Sequence, residues 1–555
     1  MPAAVDVLIA RCLEKQPQDR PQSVRELLAV LDTSVTTSGP SLAPARGAVG
    51  ARLLTGKRVA VGAIVALVLA VGGWFAAQAT ANVTPITLTV LPFANSAADT
   101  AVDFLSEGLA DELASAFARV PGVQIMSRSG ARFYRGQLGV DVTEAGARLN
   151  ADYVMQGVVR RDRGRWVISA DIGRRTDRAS IWGEVFTLNP AEQARAADLI
   201  AASVIAELRR RFPRALAGSA PVAPTSGTTD IEAYRLYLRG QERLNRRGQS
   251  VTESAELFRQ AIAQDSLFAK AHSGLAMSLA LYPYFQSVPA DEVIAGVEHA
   301  AGRALALDPS LSLPHVALGL AKQFAYQWEG AAAEFRDAIR LDPRDVEARV
   351  QYGRHLIMRG RHPEAMDQFR AARAEDPASA LVLSWLSYVH YLEGRNDSAL
   401  VESQRALDND STNYTSLTLG AMVRLRANRT GEVRALITKA PRTAPMLYYL
   451  MGRVSDRAEV ERTLAALDAQ RPQPWMSGSM RAFGFLGLGD TTRGLDALER
   501  ATAAGEVWPT FWGVSDPQIF GPVRESARFR EIVRRVGLEE AVVGGERVAP
   551  PHGAP

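Results

Sequence analysis

Ala338 to Pro377 reads AIRLDPRDVEARVQYGRHLIMRGRHPEAMDQFRAARAEDP. It opens and closes on the same signature, a run of small and apolar residues ending in Asp-Pro. The two aspartates, Asp342 and Asp376, lie 34 residues apart. Working outward, AIAQDS (261–266), ALALDP (304–309) and ALDNDS (406–411) have the same shape. Their aspartates are Asp265, Asp308 and Asp410, so the successive intervals are 43, 34, 34 and 34. Other positions keep register with the aspartates: Gly319, Ala331, Phe335 and Ala338 in one unit, Gly353, Ala365, Phe369 and Ala372 in the next. Small residues let two paired helices approach, and the Phe fills the space between units. The Pro blocks continuation of the preceding helix and starts a new one. One such pair cannot bury its apolar face alone, so stacking of pairs supplies the core.

A 34-residue period of this kind resembles the tetratricopeptide repeat, and five units exceed the roughly three that such an array needs. The resemblance covers 230–411, with looser repeats and a C-terminal cap over 412–540 and a disordered tail at 541–555. The long first interval implies about nine inserted residues around Tyr282 to Asp291 (YPYFQSVPAD). GLDALERATA (494–503) reads as one more second helix. DPQIFGPVRESARFREIVRRVGL (516–538) resembles a closing helix, with Phe520, Val523, Phe529, Ile532 and Val533 covering the last apolar face. The resemblance implies a protein or peptide partner held by the first helix of each pair. The face expected to do so comprises Lys322, Gln323, Tyr326, Arg349, Tyr352, His355, Leu356, Tyr388 and Tyr391.

Residues 86–212 change character. ITLTVLPF (86–93) alternates like a strand, and Asp99 to Val120 then switches to helical spacing. Val123–Met126, Tyr153–Arg160, Trp166–Gly173 and Ala179–Phe186 read as strands, with helices over 142–149 and 190–212. The order β-α-β-α-β-β-β-α implies a small mixed sheet with helices packed on it. LTVLPFAN (88–95), FLSEGLADELASAFARVPGVQIMSRS (104–129), LNADYVMQGVVRR (149–161) and IWGEVFTL (181–188) carry a resemblance to the TolB amino-terminal-like domain. That resemblance implies recognition rather than catalysis. A linker, 213–229, joins it to the repeats.

At the N-terminal end, Val59 to Ala77 (VAVGAIVALVLAVGGWFAA) has no charge, and nineteen helical residues span about 28 Å, close to a bilayer's hydrocarbon thickness. A transmembrane helix is expected at 58–78. Arg46, Arg52, Lys57 and Arg58 precede it, and no charge follows until Asp99. The positive-inside rule then places the N-terminus in the cytoplasm and everything from Gln78 outside it, with the plasma (inner) membrane as location and the lipid bilayer as a partner. LIARCLEKQPQDRPQSVRELLAVL (Leu8–Leu31) resembles the last segment of a bacterial transmembrane Ser/Thr protein kinase, so 1–32 reads as a C-lobe remnant of two helices, followed by a flexible linker at 33–57. No H-R-D, D-F-G or V-A-I-K motif accompanies it.

The expected fold class is therefore multidomain: one transmembrane helix, a small mixed α/β domain and an all-α solenoid. The expected function is a membrane-anchored, non-catalytic interaction or sensory scaffold in signal transduction. The alternative is a kinase whose catalytic lobe lies upstream of Met1. The net charge is only +4 over 555 residues, with both signs interspersed, which argues against nucleic acid. The single cysteine, Cys12, excludes an intrachain disulfide. No catalytic, cofactor or metal residue is singled out. Glu107, Asp111 and Glu112 read as a solvated helix face, Arg209 to Arg211 as the basic end of a helix. His272, His315, His355, His362 and His390 read as structural, because they fall in different repeats without ligand spacing. Tyr282, Tyr284 and Phe285 read equally as a peptide-binding lip or as cover for the insertion. The oligomeric state is open.

Overall fold

The computed structural model describes residues 85–544, except 97–99, 127, 190–191, 193–194, 217–226, 249, 286–287, 441–444, 471–475 and 509–513. The described residues belong to one compact unit.

The sheet region comes first. Strand β1 (Ile86–Val90) leads through β2 (Ala94–Asn95) into helix α1 (Thr100–Ala118), then β3 (Val123–Ile125), α2 (Val142–Leu149), β4 (Tyr153–Asp162), β5 (Arg165–Arg174), β6 (Ser180–Leu188) and α3 (Ala196–Arg211). The sheet order is β3-β1-β4-β5-β6, with β2 on β4. β1 is parallel to β3 and β4, as crossover helices require. β4, β5 and β6 form an antiparallel meander with an irregularity at Ile172/Gly173. Alternation decides the faces: Met155, Val159, Ile168, Ala170 and Ile172 are buried with α1 and α3, while Val154 packs with Val142, Ala145 and Leu149 of α2. Asp141 caps α2 by accepting from the Thr143 and Glu144 amides.

The rest is helical. Hairpins follow as α4 (Ile231–Arg246) with α5 (Ser250–Gln264), α6 (Ala269–Phe285) with α7 (Ala290–Leu307), α8 (Leu313–Phe324) with α9 (Trp328–Leu341), α10 (Val346–Met358) with α11 (His362–Glu375), and α12 (Ala380–Leu392) with α13 (Asn396–Asn409). Then come α14 (Tyr414–Arg426), α15 (Thr430–Ile437), α16 (Pro445–Val454), α17 (Arg457–Ala469), α18 (Ser477–Gly487), α19 (Thr491–Ala503), α20 (Ala527–Arg535) and α21 (Glu539–Gly544). Three of the repeated aspartates share one local job. Asp308, Asp342 and Asp410 end their helices and accept the amide two residues on, at 2.9, 3.0 and 2.9 Å, which turns the chain into the next hairpin. The small–aromatic register is a real contact: a Cβ added to Gly319 would lie 2.5 Å from the Phe335 ring, and one on Gly353 2.6 Å from Phe369. The insertion in the second hairpin lengthens both of its helices. α6 has 17 residues and α7 has 18, against 13 and 14 in α10 and α11.

Two expectations are corrected. Among the described residues no helix is long and apolar enough to cross a membrane. The long helix α7 carries exposed Asp291, Glu292, Glu298 and Arg303 opposite buried Val293, Val297, Ala300 and Ala304, and so suits one buried face and one wet one rather than hydrocarbon. The fold is a helical-hairpin solenoid with a small sheet region. The single transmembrane helix at 58–78, the inner-membrane location and the lipid bilayer as partner all rested on Val59–Ala77, which lies outside the described residues. So do 1–32, 33–57 and 545–555.

Candidate functional site: a cleft between the sheet region and the array

The sheet region docks on the array through α1 and α4. Gly108 permits the approach, since a Cβ there would sit 2.8 Å from Leu238. The second tie is an ion pair. Glu112 is only 5% exposed and takes both its carboxylate oxygens to Lys270 Nζ on α6, at 3.0 and 2.8 Å. The Tyr237 hydroxyl donates to Glu112 at 3.4 Å and accepts from Gln241 at 2.9 Å. Burial and this carboxylate push the Tyr237 phenol well above its usual range. Glu112 is therefore not on a solvated face: it is the buried half of the docking contact. A third tie lies further along. Arg344, in the turn before α10, donates to the Ala118 and Val123 carbonyls at 3.3 and 2.7 Å, capping the C-terminal end of α1, and pairs with Glu375 at 3.4 Å.

Between these ties lies a cleft of about 1270 Å³. Its walls are α1 with the Arg132–Arg135 segment on one side and α10 from Val346 to Arg354 with the N-terminal halves of α12 and α14 on the other. A chain of contacts orders the array wall. Arg247 pairs with Glu347 at 2.8 Å, Gln351 donates to Glu347 at 2.9 Å, and Arg354 donates to Gln351 at 2.7 Å. The Arg354 guanidinium lies between the Tyr284 and Trp385 rings, 5.0 and 5.2 Å from their centroids, a cation–π arrangement that fixes its plane. On the facing wall Arg148 stacks over exposed Phe133 at 3.8 Å. The Tyr414 hydroxyl is buried in the cleft lining without a hydrogen-bond partner, and burial raises its pKa. Planar cations, aromatic rings and carboxylates of both walls suit an extended polypeptide of mixed character.

None of the nine residues expected to form the binding face lines this cleft. Lys322 pairs with Glu334 at 2.6 Å, and Arg349 donates to the Pro343 carbonyl and to Gln368. Gln323, Tyr352, His355 and Leu356 are buried between helices. Tyr326, Tyr388 and Tyr391 hydrogen-bond to the C-terminal part of the chain. One residue along a helix turns the side chain by about 100°, so the expected positions 352, 355 and 356 face neighbours while 350, 351 and 354 face the cleft. Tyr284 and Phe285 do line it. The expected face did not include Arg354, Gln351, Trp385 and Tyr414; their positions on first helices were the available signal.

The histidines are held singly. His272 meets the Ser266 carbonyl, His315 meets Glu334 at 2.7 Å, and His390 accepts from Arg395. Among the described residues no group of three or more His, Cys, Asp or Glu is placed to hold a metal. Arg210 and Arg211 both pair with Glu207, which lowers that carboxyl to about 2. Burial lowers His355 to about 3 and His362 to about 4. Both stay neutral in the native state where an unfolded chain would protonate, so stability is fully present above pH 6.5 and is lost as pH falls below it. Two such groups cost about 2 kcal/mol between pH 6.5 and 5.5. Burial raises the Asp345, Glu506 and Asp516 carboxyls, which act oppositely, because the folded chain takes up their protons before the unfolded one as pH falls. Urea denaturation at pH 6.5 and 5.5 measures the loss, and a His355→Gln/His362→Gln chain is expected to flatten it.

The family model for the tetratricopeptide repeat matches residues 316–380, so this stretch, from within α8 to the start of α12, consists of tetratricopeptide repeats. The chain is thus a repeat protein suited to protein–protein interaction. It is similar to a curated relative, "Putative adenylate cyclase 3" of Rhizobium meliloti (strain 1021), with 25% identity over 191 residues, 34% of this chain. The chain spans about a third (32%) of the length of that relative. Among solved structures it is similar to a thermophilic tetratricopeptide protein of Thermus thermophilus, with 18% identity and a TM-score of 0.30, covering 35% of this chain and 99% of that one. It is also similar to the pilF protein of Pseudomonas aeruginosa, with 19% identity and a TM-score of 0.29, covering 38% and 93%.

Proposed function

We propose that the chain is a non-catalytic interaction module of a signalling protein, and that the cleft between the sheet region and the array holds an extended segment of its protein partner. The observation that carries this reading is the cleft's array wall, where Arg354 is fixed between Tyr284 and Trp385 and backed by Gln351, Glu347 and Arg247. The name of the cyclase relative supports a place in signalling. A TolB-like recognition role for 86–212 fits the element order of that region. The kinase alternative draws no support from the matched family or the relative and rests on Leu8–Leu31 alone. The test is capture of a partner by the full chain, compared among wild type, Arg354→Ala, Trp385→Ala and a surface control, Arg370→Ala. Retention is expected to fall at least tenfold for the two cleft variants and to hold for the control. Equal retention by all four would put the binding surface elsewhere.

A further inference from the structure

The C-terminal part of the chain returns to the repeats, and its contacts have one chemical pattern. Five side chains of the array donate into it. Tyr326 donates to the Glu506 carbonyl at 3.1 Å, Trp328 to the Val536 carbonyl at 2.7 Å, and Tyr449 to the Gln518 carbonyl at 2.8 Å. Tyr388 and Tyr391 donate to the two oxygens of the Asp516 carboxylate at 2.8 and 3.0 Å. Three of the acceptors are main-chain carbonyls, which any extended segment offers. The fourth is a carboxylate, which only an acidic residue offers.

Asp516 is fully buried, and no cation pairs with it among its hydrogen-bond partners. Its remaining bonds come from the Gln518 and Ile519 amides, so four neutral donors hold it. The neighbouring Ser515 meets His362 at 3.1 Å. Val514, Ile519 and Phe520 are buried beside it. A buried carboxylate costs several kcal/mol unless its lone pairs are satisfied, so two phenols converging on one carboxylate form a discriminating pocket rather than incidental packing. The neutral donors also make the pocket indifferent to the rest of a ligand's charge.

We propose that the part of this face built by Tyr388, Tyr391 and Tyr449 is a second peptide-recognition surface, filled in this chain by its own segment around Val514–Phe520, and that it takes in trans a peptide with an Asp followed within a few residues by buried apolar side chains. The surface is distinct from the cleft, which these residues do not line. Its occupant is an internal ligand, so an external partner binds by displacing it, and affinity in trans is set against an effective concentration in cis.

The test uses the full chain and a fluorescent synthetic peptide of residues 512–523. Anisotropy is expected to give binding to an Asp516→Ala chain at least tenfold tighter than to wild type. A Tyr388→Phe/Tyr391→Phe/Asp516→Ala chain is expected to lose that gain. A folded Asp516→Ala chain that binds no peptide, or binds it regardless of the two tyrosines, would overturn the proposal. Should Asp516→Ala fail to fold, hydrogen exchange on the wild-type chain decides. The Gln518 and Ile519 amides are expected to exchange at least tenfold faster than those of α10 and α12. Exchange of all of them as one unit would mean that the segment is a fixed part of the core and not a displaceable ligand.

Discussion

Replacing Phe369 by Ala is expected to destabilise the array by about 3–5 kcal/mol, the usual cost of removing a fully buried aromatic ring. Phe369 is completely buried, stacks on Trp385 with ring centroids 6.2 Å apart, and fills the space left by Gly353. Ala leaves a cavity that neither neighbour can close, because both are held by other contacts: Trp385 by Arg354 and Gly353 by its place mid-helix in α10. Repeat stability is roughly nearest-neighbour, so the damage is expected to be local. Hydrogen exchange should rise in α10 to α13 while β4 and β5 keep their protection. Urea denaturation gives the total, and a loss below about 1 kcal/mol would mean that the ring is not the spacer between units. Phe335 against Gly319 gives the same experiment one repeat earlier.

The second large effect is expected at the docking contact. Glu112→Ala removes one half of a buried ion pair and the carboxylate that Lys270 and the Tyr237 hydroxyl share. Breaking a buried pair in this way costs about 3–5 kcal/mol, while exchanging both partners for apolar residues of similar size is near neutral. The pair Glu112→Leu/Lys270→Met is therefore expected to recover most of what Glu112→Ala loses, as measured by urea denaturation of the full chains. Failure of the double change to recover stability would show that the interface depends on the charges themselves and not on filled volume.

These two sites differ in how far the sequence announced them. Phe369 and Gly353 lie at the same distance from Asp376 as Phe335 and Gly319 do from Asp342, and each of these aspartates ends a helix of its hairpin. Period, hairpin order and strand order are local properties, so they are legible. Glu112 and Lys270 are 158 residues apart, and nothing near Glu112 distinguishes a docking carboxylate from a wet one. The same holds for Asp516, which finds Tyr388 and Tyr391 across 128 and 125 residues. Which side chains of a first helix line the cleft depends on helical phase: in α10 one residue separates Gln351 and Arg354, which face the cleft, from the expected Tyr352 and His355, which pack inward. The apolar stretch Val59–Ala77 gave a fold class and a location that the described helices do not support.

The most direct test of the account is hydrogen exchange of the full chain with and without its captured partner. Protection on binding is expected in α10, in the N-terminal halves of α12 and α14 and in the Arg132–Arg135 segment, the walls of the cleft. Protection confined to the second helices α9, α11 and α13, with the cleft walls unchanged, would contradict it.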